Sequence, residues 1–289
     1  MITAMTTMML TTTAATIDDA AQRLVRAKSC AGPMRVVRSI LTAAVVAQLG
    51  CAPRGGPGSG TPNANSSVPD TVPDFAAARF TNPTRIDNAY FPLVPGTTWT
   101  YMAETGDGAE RIVVEVLDET REVMGVMTRV VRDRVFLDDV LIEDTHDWYA
   151  QDDAGNVWYM GETVDNYNYD DQGNLIDITH EGAWEAGLDV ANVGATAIPG
   201  HQMRAMPAPG DAYHQEFYRG EAEDMGTVVE LDVSVTLGDG SGYSCLQIRD
   251  VNPLSTNPDE FKYYAPNVGL VLEEPVDGSE RVELVSVEP

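Results

Sequence analysis

The sequence predicts an all-β fold, mostly antiparallel: a single sandwich, barrel or strongly curved sheet with at most one or two short helices. Three observations carry this expectation. From Phe75 onward, short runs rich in Val, Ile, Tyr, Trp and Thr recur, the composition of half-buried strands. Asp, Gly, Asn and Pro punctuate these runs about every 8–12 residues, a spacing typical of compact β domains. Helical periodicity is confined to Glu181–Leu188, which suits a short helix, and to Asp74–Arg79, which suits a single turn.

Taken in order, Thr97–Met102, Arg111–Leu117, Val123–Val131 and Val135–Ile142 read as strands, the last broken by a turn at Asp138-Asp139. Asp147–Ala150, Val157–Met160 and Leu175–Thr179 follow. Val228–Leu237, Ser244–Val251, Lys262–Ala265, Gly269–Glu273 and Arg281–Val287 complete the set. A local repeat, DDxGN, occurs at Asp152-Asp153-Ala154-Gly155-Asn156 and again at Asp170-Asp171-Gln172-Gly173-Asn174. Glycine supplies a positive φ and Asp and Asn close side-chain turns, so each copy predicts a tight hairpin between aromatic strands.

The region before Phe75 has a different character. Arg35 and Arg38 precede the apolar run from Ile40 to Ala47, and Leu49-Gly50-Cys51 follows. A basic stretch, a short apolar run and a small residue at a cleavage point make a secretory signal. The run is too short for a spanning helix, which needs about 20 apolar residues. Leu49-Gly50-Cys51 resembles the lipobox of bacterial lipoproteins, in which the cysteine carries the lipid; ordinary signal-peptidase cleavage nearby is the other reading. Met34 offers a start codon, with residues 1–33 either an over-extended start or a long n-region, and 34–50 the signal peptide. Residues 51–74 then form the anchor cysteine and a Gly-, Pro-, Ser- and Asn-rich tether, with a reach of roughly 25–30 Å. A single β-rich domain occupies 75–289, and the expected location is the bacterial cell envelope or beyond, with the membrane met through the lipid alone.

Charge and cysteine content narrow the function. The first 50 residues hold five of the 18 basic groups and two of the 45 acidic ones, leaving 13 against 43, a formal −30. Such a surface repels phosphate backbones, so nucleic acid is not an expected partner, and it attracts cations. Cys245 alone remains after the leader cysteines Cys30 and Cys51, so neither an internal disulfide nor a Cys/His metal motif is expected. It reads as a small buried hydrophobe. No nucleotide-binding loop, dinucleotide fingerprint or redox motif is present, and Gly238-Asp239-Gly240-Ser241-Gly242 lacks the spacing of a nucleophile elbow.

Several longer motifs resemble a group of bacterial secreted proteins and lipoproteins. They are Glu143-Asp144-Thr145, Asp147-Trp148-Tyr149-Ala150-Gln151-Asp152 and Gly155-Asn156-Val157-Trp158-Tyr159 with Gly161-Glu162. Gly220-Glu221-Ala222-Glu223-Asp224 and Lys262-Tyr263-Tyr264-Ala265-Pro266 with Val268-Gly269-Leu270-Val271 extend the match, and Tyr90-Phe91-Pro92-Leu93 opens it. The resemblance spans about residues 80–287 and implies a secreted domain with no established activity.

Candidate chemistry centres on acidic runs. In an extended strand Glu143, Thr145 and Asp147 share one face, while Asp144, His146 and Trp148 share the other. With Glu221, Glu223 and Asp224, the residues Glu143, Asp144 and Asp147 form a candidate divalent-cation set, Ca²⁺ first, since such ions take about six to eight oxygens. His146 and His214 are candidate proton acceptors, His214 with Glu216 as its orienting acid. Trp148, Trp158 and Tyr159 are a candidate ligand cleft. The competing reading makes the acidic runs solvated strand ends and the aromatics core. Lys262, the one lysine after the leader, is expected to pair with a carboxylate such as Glu260. Three functions follow: a non-enzymatic envelope domain binding a ligand, a divalent cation or a protein partner; a metal-dependent hydrolase of esters or phosphoesters, phosphotriesters included; and a carrier of an apolar ligand.

Overall fold

The structure, a computed structural model, describes residues 71–255 and 259–289; the expected signal peptide, Cys51 and most of the expected tether lie outside the described residues. About 60% of the described chain is strand. A single 3₁₀ turn, Phe75–Ala77, is capped by Asp74, whose carboxylate accepts from the Ala76 amide. Among the described residues no helix is long and apolar enough to cross a membrane.

Two short strands, β1 (Ile86–Asp87) and β2 (Pro92–Leu93), pair with each other. One large sheet holds the rest: β3 (Thr98–Thr105), β4 (Gly108–Val123), β5 (Val126–Leu137), β6 (Val140–Gln151), β7 (Val157–Tyr169), β8 (Leu175–Thr179) and β9 (Trp184–Glu185). It continues with β10 (Ile198–Met203), β11 (Ala212–His214), β12 (Glu216–Phe217), β13 (Met225–Thr236), β14 (Gly242–Val251), β15 (Glu260–Ala265), β16 (Gly269–Pro275) and β17 (Val282–Glu288). The chain runs as two antiparallel meanders, β3 to β7 and β13 to β17, joined by pairing of β17 with β3.

Turn chemistry sets the register. Met124 and Gly125 both have positive φ, as do Asp138 and Asp139, the pattern of two-residue hairpins that match the twist of their strands. Each DDxGN copy closes a hairpin, β6 to β7 and β7 to β8. Asp152 accepts from the amides of Ala154 and Asn156, and Asp170 from those of Gln172 and Asn174. Gly155 and Gly173 supply the left-handed residue in each. The expected helix at Glu181–Leu188 does not form. Its central residues make β9, which pairs with Gly161 and Glu162 of β7, because a long neighbouring strand offers backbone partners that an isolated two-turn helix would lack.

The sheet curls into a nearly closed barrel. β11 pairs with β13 and β12 with β10, and a bend at Gln215 separates the two pairings. The short stretch Ala212–Phe217 thus joins the two ends of the sheet, helped by the Gln215 amide donating to the Asp224 carbonyl at 2.8 Å. Gly200 makes this approach feasible: a Cβ there would stand 2.3 Å from the His214 carbonyl oxygen. The β1–β2 hairpin covers the interior and brings Phe91 edge-on to Tyr149, with ring centroids 5.3 Å apart. On the outside, Phe75 and Phe80 pack over Trp158.

Gly200→Ala is expected to destabilise the protein by about 1–3 kcal/mol or more through overpacking at the seam. A thermal midpoint unchanged by this substitution would show that the seam is not closed.

Candidate interior acidic site

Strand alternation sends every second side chain of β6 into the barrel. Glu143, Thr145, Asp147 and Tyr149 take the inner face, and their cross-strand partners on β5 are Val135, Asp133, Val131 and Arg129. Asp147 stands opposite Glu162, and Tyr149 opposite Tyr159, with a register shift between these pairs. That shift falls at Gly161, where a Cβ would stand 2.5 Å from the Trp184 carbonyl oxygen, so the bulge puts Tyr159 and Glu162 on the same side although they are three residues apart. Glu216 of β12 enters from across the seam, next to Asp224. Asp133, Glu143 and Asp147 are fully enclosed, and Glu162, Glu216 and Asp224 nearly so.

Each of the two inward acids of β6 is met by a hydroxyl. The Tyr159 hydroxyl donates to Asp147 Oδ1 at 2.8 Å, and the Thr145 hydroxyl to Glu143 Oε1 at 3.2 Å. Glu143 Oε2, Asp147 Oδ2, Glu216 Oε2 and the Tyr149 hydroxyl have no hydrogen-bond partner. Burial of an ionised carboxylate costs several kcal/mol unless it is compensated. Burial shifts these groups toward their protonated forms. Burial, reinforced by Asp133 and Asp147, pushes Glu143 up to about 8. Burial likewise raises Asp147, where Asp133 adds to the effect, Glu162, where Asp147 and Glu216 add, and Glu216, where Asp224 adds.

A second buried polar group lies on β14, β15 and β16. Lys262 is 1% exposed, with Nζ 2.9 Å from Asp250 Oδ2 and 3.8 Å from Glu273 Oε2. Burial pushes its ammonium toward losing a proton, and Asp250 and Glu273 together outweigh that. Asp250 is therefore the close partner, where the sequence pointed to Glu260. The register explains it: Ile248 stands opposite Lys262, placing Asp250 diagonally within reach, while Glu260 shares its strand.

The sequence-predicted residues divide between two faces. Glu143 and Asp147 reach the interior, and Asp224 joins them through Glu216. Asp144 does not; it lies on the outer face, held by Arg132 at 2.8 and 2.5 Å. His146 is also outside, half-exposed, with Nδ1 4.0 Å from Asp144. Glu221 is exposed, and Glu223 accepts from the Gly220 amide at 2.8 Å, so neither meets the β6 acids. His214 and Glu216 do not act together. The bend at Gln215 breaks their alternation, and His214 Nδ1 bonds Thr71 Oγ1 at 2.9 Å while its ring packs on Phe217. Burial lowers the His214 pKa. Trp148, Trp158 and Tyr159 do not line one cleft, since Tyr159 points inward and both tryptophans outward. Arg121 covers Trp148 at 4.0 Å, and Trp158 is enclosed by Phe75, Phe80 and His201 while donating to Asp152 at 2.9 Å. His201, edge-on to Trp158, is pushed down to about 4 by burial. Cys245 is buried, its thiol pushed up to about 11, which makes it unreactive.

Asp133 and Glu162 are interior acids absent from the sequence-derived candidates, and Glu216 entered them only as the partner of His214. Compared with protein-family models, curated proteins and solved structures, the chain matches none.

Glu143 binds its proton more tightly folded than unfolded, so its contribution to stability is complete below the ordinary glutamate value of 4.5 and is lost as pH rises through about 8. The thermal midpoint, measured without added metal, should fall from pH 5 to pH 8.5, and Glu143→Gln should flatten that fall. A midpoint that rises over this range would contradict the assigned protonation. Lys262→Met leaves Asp250 and Glu273 uncompensated and is expected to cost about 3–5 kcal/mol, part of it recovered by adding Asp250→Asn. Chemical denaturation of the two variants measures both effects.

Proposed function

We propose that this protein is an extracytoplasmic binding domain that takes a small cation among its interior acids, with a divalent ion, Ca²⁺ first, as the occupant. The supporting observation is the group of unpartnered atoms inside the barrel: Glu143 Oε2, Asp147 Oδ2, Glu216 Oε2 and the Tyr149 hydroxyl. Buried polar atoms almost always find partners, and an unmade set of acceptors marks a place where an ion or water belongs. Lys262 is the one buried lysine or arginine among the described residues, and it is already engaged by Asp250 and Glu273.

Among the described residues no three Asp, Glu, His or Cys side chains stand in a chelating group. The ion would therefore take carboxylates in a pair, Asp147 with the directly opposed Glu162, and complete its shell with Tyr149, main-chain oxygens and water. Its entry would release the protons that burial retains, so affinity rises with pH. The hydrolase reading needs His146 beside Glu143 and Asp147, and a strand's alternation sets them on opposite faces. The basic residues Arg35 and Arg38, the apolar run from Ile40 to Ala47 and Cys51 behind it support export and lipid attachment.

Titrating Ca²⁺ into the metal-free protein should raise the thermal midpoint, by several °C at saturation, and more at pH 8 than at pH 6. Asp147→Asn combined with Glu162→Gln should abolish the shift. If Ca²⁺, Mg²⁺, Mn²⁺ and Zn²⁺ all leave the midpoint unmoved at pH 8, the interior does not bind a metal ion.

A further inference from the structure

The hairpin β7–β8 extends one end of the barrel wall and leaves an open edge. Along the side of β7 that faces away from β6, β10 covers Val157–Tyr159, β9 covers Gly161 and Glu162, and β8 covers Asn166–Tyr169. Among the described residues β8 pairs with β7 alone, so its outer backbone groups face solvent. Its side chains are apolar where a solvated edge is normally charged or interrupted by proline: Leu175, Ile176 and Ile178 are 50%, 63% and 40% exposed. Ile176 falls at a register shift and is unmatched on β7, because Asn168 pairs with Asp177 and Tyr169 with Leu175.

We propose that this edge is a docking strand for an extended, basic segment of a partner protein, one in which lysines or arginines alternate with aliphatic residues. Charge selects that chemistry. Residues 165–181 contain Asp165, Asp170, Asp171, Asp177 and Glu181 and no lysine or arginine. A second copy pairing edge to edge would set Asp177 against the same acidic hairpin, and directly opposed like charges oppose sheet formation. A basic strand meets the same acids favourably, while main-chain bonds to β8 supply affinity and Leu175, Ile176 and Ile178 supply apolar contact. The acidic surround thus blocks self-association and admits one class of partner.

The test uses the full-length protein and two ten-residue peptides of one composition, one alternating lysine and valine, the other five lysines followed by five valines. At physiological salt the alternating peptide should bind at least tenfold more tightly by calorimetry. Ile176→Pro, placed where no β7 partner is lost, should reduce that binding at least tenfold with the thermal midpoint unchanged. Asp177→Lys leaves the edge intact, and it should weaken the lysine peptide while creating affinity for an alternating glutamate–valine peptide. Equal binding of the two isomers, or binding indifferent to Asp177→Lys, would reduce the attraction to diffuse charge and overturn the proposal. Self-association of the unaltered protein that Ile176→Pro abolishes would assign the edge to a second copy and overturn it as well.

Discussion

Everything distinctive about this molecule depends on the closing of one sheet upon itself at Ala212–Phe217. An open sheet of these strands would leave the inner side chains of β5, β6 and β7 in water, where acids ionise and behave as ordinary solvated groups. Closure removes the water. It rests on contacts too close for any side chain at Gly200 and on a bend at Gln215 that lets one short stretch pair with β13 and then with β10. Few residues carry the seam, yet it converts a face of the sheet into a sealed interior.

Sealing that interior around acids creates a conflict, and the two halves of the barrel resolve it differently. On the β14–β16 side, Lys262 supplies a compensating charge and sits between Asp250 and Glu273. On the β5–β7 side no lysine or arginine is buried among the described residues, and burial instead shifts the acids toward their protonated forms. A charge pair of the first kind is fixed by geometry and insensitive to ordinary pH. A protonated group of the second kind can be exchanged for an ion, because one ligand then replaces several protons. The contrast between the halves, more than the number of acids, directs attention to Glu143, Asp147, Glu162 and Glu216.

The outer surface follows a different logic. Asp144 with Arg132, Arg121 over Trp148 and Asp165 with His180 are solvated or half-solvated pairs of modest worth. They resemble each other in sequence with the interior acids, since Glu143, Asp144 and Asp147 belong to one run. Only the strand's period of two separates an acid enclosed in the interior from a neighbour held in a part-buried ion pair on the outer face. At β8 the outer wall ends without cover, and within the acidic hairpin main-chain groups remain available.

Strand composition, the DDxGN turns and the two-residue hairpins at Met124-Gly125 and Asp138-Asp139 were determined by the sequence alone, because each is a local property of backbone and side chain. The same local rule put Glu143 and Asp147 on one face and Asp144 and His146 on the other, and Asp133 was legible too: it falls in phase with Val131 and Val135, between Arg132 and Arg134. Glu162 was not, because the bulge at Gly161 shifts the alternation by one residue. Glu216 was hidden by the bend at Gln215, and β9 by a pattern that suits a helix until β7 offers it a partner. The tertiary structure alone decided that these phases point into a closed space. Closure brings Glu216 to Asp147, 69 positions earlier in the chain, and no periodicity within a strand records which neighbouring backbone will complete its sheet.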